Sequence, residues 1–112
     1  MTISTHVLDT STGCPAASVA VRLQRQDGTA WTDVSTAVTD ADGRVAALVP
    51  ASAPAAAGGY RLTFDVGGYF LARGVDSFYS NVPIDFVVRD AAAHHHVPLL
   101  VSPYGYSTYR GS

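Results

Sequence analysis

Short runs in which apolar and polar residues alternate constrain this chain more than any other feature. Val19, Val21 and Leu23 alternate with Ala20, Arg22 and Gln24, and Ile3, Thr5 and Val7 alternate with Ser4, His6 and Leu8. A period of two sends one set to each face of a pleated strand, whereas a helical stripe repeats roughly every 3.6 residues. Turn formers keep the runs short: Asp9-Thr10-Ser11-Thr12-Gly13, Gln26-Asp27-Gly28 and Asp40-Ala41-Asp42-Gly43 each punctuate the pattern.

On this reading the first strand covers Ile3 to Leu8 and places His6 on the face opposite Ile3 and Val7. Pro15, which cannot donate to a central ladder, delays the second strand to about Ser18, and a hairpin at Gln26-Asp27-Gly28 precedes Trp31. Arg44 emerges directly after its turn, at the start of a strand running through Val45 to Val49. Ala51 to Gly59, rich in Ala, Pro and Gly, reads as a connection. Further strands are predicted over Tyr60 to Val66, Val82 to Val88 and Val97 to Val101. Tyr69 to Gly74 is the one helical stretch, with good helix formers ending at a glycine suited to the left-handed cap. Seven or eight strands and one short helix, without an internal repeat, predict an all-β Greek-key sandwich.

The length of 112 residues suits a single domain spanning residues 1–112. Only 14% of residues are charged and the net charge is -2, with no basic run, so no nucleic-acid partner is expected. That low charge beside 47% hydrophobic residues leaves more apolar surface than a lone domain uses, which predicts an oligomer. Cys14 is the sole cysteine and cannot form an intrachain disulfide. No leader-like start and no apolar run of about 18 residues is present, so membrane association is not expected and a cytoplasmic location is.

The chemistry resides in few residues. Four histidines occur, three of them consecutive. On a strand, His94 and His96 share one face and His95 takes the other. The pair reads in three ways: a polar strand end, a partial zinc site, or, with His6, a catalytic or binding set. Further metal ligands at a supporting spacing are lacking, so no metal or cofactor is expected. Arg44 by itself reads as a solvated residue after a turn. The tail from Ser102 to Ser112 holds three tyrosines, unusual for a terminus, and suggests docking against protein. Cys14 has no neighbouring base or cation in sequence, and no serine sits in a nucleophile-elbow pattern.

Taken together, these residues resemble one known family, the transthyretin-related 5-hydroxyisourate hydrolases. The resemblance is carried by Tyr109-Arg110-Gly111-Ser112, by His96-Val97-Pro98-Leu99-Leu100 and by Ser102-Pro103-Tyr104-Gly105-Tyr106-Ser107-Thr108. His6-Val7-Leu8-Asp9, Thr39-Asp40-Ala41-Asp42-Gly43-Arg44 and Tyr60-Arg61-Leu62 followed by Gly68-Tyr69-Phe70 match in the same order. Two positions depart from the family's pattern: His95 stands where a tyrosine is common, and Ser80 where a proline is.

The resemblance implies a transthyretin-like (prealbumin-like) sandwich of two four-stranded sheets, assembled as a homotetramer, a dimer of dimers around a channel. It implies hydrolysis of 5-hydroxyisourate in urate breakdown, with His6, Arg44, His96 and Ser112 catalytic and His6, Arg44, Tyr109, Arg110 and Gly111 binding the substrate. A rival reading is a small-ligand carrier without catalysis; a third, a structural module, leaves the Tyr-Arg-Gly-Ser ending without a role.

Overall fold

The computed structural model describes residues 2–50 and 56–112. Two sheets pack face to face. One has the order β4-β3-β6-β7, with β3 Ala20–Asp27, β4 Ala30–Val38, β6 Gly58–Asp65 and β7 Asn81–Val88, antiparallel throughout. The other centres on β1, Thr2–Asp9. On one edge of β1 lie β2 (Cys14–Pro15) and β5 (Arg44–Val45), both antiparallel to it. On the other edge lie β8 (His94–His96) and β9 (Leu99–Ser102), both parallel to it, with β10 (Gly105–Thr108) outside β9. This sheet is four strands wide, but shorter pieces make it six strands in all.

The alternation read from sequence decides what fills the core. Ile3, Val7, Leu99 and Val101 face Leu23, Leu62, Phe64 and Val82, all fully or almost fully buried. Each such side chain contributes about 1.5–3 kcal/mol on leaving water. A 7-residue helix, α1 (Val66–Ala72), joins β6 to β7 and buries Val66, Tyr69 and Phe70. The carboxylate of Asp65 caps it by accepting from Gly68 N–H at 3.0 Å, and Gly74 follows it with φ of 69°.

Several boundaries differ from the sequence reading, each for a local reason. The strand expected over Val45 to Val49 stops at Val45; Leu48 then turns its side chain into the core, and its N–H donates to Ile3 at 2.8 Å. The strand expected over Val97 to Val101 is broken, because Pro98 has no N–H for the ladder, and His94–His96 forms a separate strand before the break. Gly58 and Gly59, read as part of a connection, open β6 instead, while residues 51–55 of that connection lie outside the described residues. The helix begins at Val66 rather than Tyr69, since the Asp65 cap outweighs the poor helix propensity of Gly67 and Gly68. Cys14 and Pro15 form a brief edge strand, and β3 starts at Ala20 rather than Ser18, whose φ is 63°. The tail is a strand paired with β9 and then a single bridge, Gly111 to His96; within the chain Tyr106 packs edge-to-face on Tyr79, while the rings of Tyr104 and Tyr109 stay exposed.

Candidate active site

The polar face of β1 organises the site. Thr2, Ser4 and His6 share that face, and the parallel register sets Thr2 beside His94 and Ser4 beside His96. Because β8 carries the same alternation, His95 points inward instead, where it is buried and its Nδ1 donates to the carbonyl of Ala93 at 3.1 Å. On the opposite edge of β1, Arg44 stands directly across from His6.

The turn before Arg44 fixes that pairing. Asp40 Oδ1 accepts from the N–H groups of Asp42 and Arg44 at 2.9 and 3.0 Å, and Gly43 N–H donates to the Asp40 carbonyl at 2.9 Å. Gly43 has φ of 74°, and its carbonyl accepts from Val7 N–H at 2.7 Å. A Cβ at this position would stand 2.4 Å from the Val7 carbonyl oxygen, so only glycine brings the turn this close to β1. Arg44 is left exposed, and among the described residues it makes no salt bridge.

Arg44, His94, His96, Ser4, Asp40 and Ser112 border a cleft of about 390 Å³. His96 is held from both sides. Ser4 Oγ lies 2.7 Å from its Nδ1, and Gly111 N–H donates to its carbonyl at 2.9 Å. A Cβ on Gly111 would fall 2.3 Å from Cδ2 of the His96 ring, so glycine here lets the tail lie flat against the imidazole. Burial pushes the pKa of His96 down, and its neighbours His94, Arg44 and His6 push it the same way. A histidine kept neutral in this manner has a ring nitrogen free to take a proton.

Tyr109 and Arg110 do not join this cleft within one chain. They border a separate groove of about 330 Å³ with Phe86, Val87 and Arg89 of the β7 side, and His96 touches both spaces. Ser4, which no sequence motif singles out, stands two residues before His6 on an alternating strand and so shares its face. Among the described residues, no group of three or more His, Cys, Asp or Glu side chains is placed to hold a metal ion.

Residues 3–111 match the HIUase/Transthyretin family. The chain belongs to this family. A 5-hydroxyisourate hydrolase of Mesorhizobium japonicum is 50% identical over 114 residues, covering 98% of this chain and 91% of the relative. The solved structure of Klebsiella pneumoniae 5-hydroxyisourate hydrolase superposes with a TM-score of 0.87 at 44% identity and covers all of both chains. Sea bream transthyretin, solved in complex with thyroxine, gives a TM-score of 0.90 at 31% identity, covering 99% of this chain and 95% of that one. The transthyretin-like sandwich is therefore shared by a 5-hydroxyisourate hydrolase and by a transthyretin solved with thyroxine, so the fold alone does not assign a function.

Proposed function

We propose that this chain hydrolyses 5-hydroxyisourate, opening its six-membered ring at an amide-like bond to give 2-oxo-4-hydroxy-4-carboxy-5-ureidoimidazoline in urate breakdown. The observation that carries the reading is the convergence of Arg44 and His96 on one cleft, with His6 opposite Arg44, in a chain about half identical to a hydrolase of that name. His96, neutral and partly buried, takes the proton from water. The planar fork of Arg44 polarises the carbonyl under attack and holds the charge that develops on its oxygen. His6 serves the leaving nitrogen, and Ser112 borders the cleft beside His96.

The catalytic assembly we propose is a homotetramer, a dimer of dimers. It would cover Phe78, Tyr104 and Tyr109, each more than half exposed in the single chain, and bring Tyr109 and Arg110 against a neighbouring subunit's cleft. A free, exposed Cys14 fits a reducing, cytoplasmic setting. The carrier alternative is disfavoured because an Arg and two His are costly to desolvate unless a polar ligand engages them. Substrate made fresh with urate oxidase, followed by ultraviolet absorbance, decides between the two: a hydrolase speeds its decay above the spontaneous rate, and a carrier does not.

A further inference from the structure

We propose that Ser4 and His94 act through His96 as positioning residues, forming with Thr2 a hydrogen-bonded path that sets the His96 tautomer and carries a proton out to solvent. This rests on the hydrolase reading above. Ser4 Oγ lies 2.7 Å from His96 Nδ1 and 3.1 Å from His94 Nε2, and Thr2 Oγ1 is hydrogen-bonded to His94 Nδ1. The two rings are nearly parallel, at an interplanar angle of 15°, with centroids 6.4 Å apart, too far for direct contact between their nitrogens across the Ser4 bridge. Ser4 is 7% exposed, whereas His94 and Thr2 at the far end are exposed, so the path runs from a shielded group to water.

A hydroxyl accepts one hydrogen bond while donating another, which gives the chain a direction. When His96 Nδ1–H donates to Ser4, Ser4 donates to His94 Nε2, and His94 Nδ1–H donates to Thr2. In that arrangement His96 Nε2 carries the lone pair that a base requires. With the direction reversed, Nε2 carries a proton and is no base.

The reaction also leaves a proton to dispose of. Water forms a C–O bond at the ring carbonyl as the C–N bond breaks; one water hydrogen goes to the nitrogen, and a carboxylic acid forms. A carboxyl group ionises near pH 4 and a ureido nitrogen is not basic, so at neutral pH one proton per turnover must depart. His96 takes that proton at Nε2 and passes its Nδ1 proton to Ser4. Ser4 passes its own to His94 Nε2, and His94 releases its Nδ1 proton through Thr2 to water. Each group keeps its proton count, and exchange with water restores the starting direction. Among the groups facing His96, which are His6 on β1, Arg44 on β5 and His94 on its own strand, the guanidinium of Arg44 disfavours a proton kept on the ring, and Asp40, the one acid at the cleft, is engaged by backbone N–H groups.

The test is steady-state kinetics of the full chain, Ser4→Ala, Ser4→Thr and His94→Asn on fresh 5-hydroxyisourate, in H2O and D2O and across the range where histidine titrates. Ser4→Ala and His94→Asn should each lower kcat about tenfold with KM little changed, and diminish the solvent isotope effect, while Ser4→Thr, which restores the hydroxyl, regains most of the rate. His94 is exposed, so its replacement reads out the path even where Ser4→Ala fails to fold. Unaltered kcat, pH profile and isotope effect in His94→Asn overturn the proposal, as does an equal loss in Ser4→Thr and Ser4→Ala. An unmodified protein that does not speed the decay instead overturns the hydrolase reading beneath it.

Discussion

His6 and Arg44 face each other directly across the antiparallel ladder between β1 and β5. Side chains alternate between faces with every residue, so a slip of one position would send one of the pair toward the core. The cleft therefore depends on register as much as on residue identity, and register here is set by the Asp40–Gly43 turn.

Replacing Arg44 by Ala removes the cation without disturbing the core, because the side chain is exposed. Turnover should fall roughly 10²-fold or more with the melting temperature unchanged, as for loss of one donor to a developing oxyanion. Parallel kinetics and thermal unfolding check both halves.

Two glycine substitutions should part in their effects. Gly43→Ala forces a Cβ against the Val7 carbonyl in a left-handed conformation, costing about 1–3 kcal/mol of stability and displacing Arg44. Gly111→Ala meets first the partly exposed side chain of His96, so the unfolding transition should be nearly unaffected while kcat drops. Denaturant titration alongside kinetics separates the two outcomes.

The acid limb of kcat/KM should lie below the ordinary histidine value of 6.5, since burial first, and then the charges around it, hold the His96 pKa down. His94→Asn removes one of the neighbours that push it down and should move the limb upward toward 6.5. The same shift bears on folding. Because the folded value is depressed, this contribution to stability is complete above the unfolded value of 6.5 and is lost as pH falls from there toward the folded one. A pH series of rates and one of melting temperatures check the two signs.

Away from the cleft, the Tyr69 hydroxyl donates to Asp9 Oδ2 at 2.9 Å, tying the helix to the end of β1 across the core. Burial first, and then the Asp9 carboxylate, push this phenol up from 10.0 to about 12. Tyr69→Phe should cost about 1–3 kcal/mol, because the buried Asp9 charge loses a donor. In the unmodified protein the folded pKa is the higher one, so the bond's contribution is full below pH 10 and is lost as pH rises toward 12. Alkaline unfolding of Tyr69→Phe beside the parent checks this.

Local pattern made much of this fold legible. The period-two runs mark β1 and β3 and the outward face of His6, the strands expected over Tyr60 to Val66 and Val82 to Val88 correspond to β6 and β7, and the Asp-Gly turn marks where Arg44 emerges. What stayed hidden depended on distant pairing. The parallel approach of His94–His96 to Thr2–Ser4 joins residues about 90 apart, and no local period signals it, so Ser4 looked like any polar strand residue. Pro98 was visible, yet whether it would end a strand or split one depended on Val97 N–H donating to Ser4 just before it. Family resemblance groups Tyr109 and Arg110 with Arg44, while the single chain sets them in a separate groove that shares only His96 with the cleft.

His6, Arg44 and His96 together are proposed to form a hydrolytic site for 5-hydroxyisourate. The most direct measurement follows the ultraviolet absorbance of freshly made 5-hydroxyisourate with the unmodified protein, with His96→Asn and in buffer alone. Decay far above the spontaneous rate is expected for the parent, with a loss of roughly 10²-fold or more in His96→Asn. Decay no faster than in buffer, or equal rates for parent and variant, would contradict it.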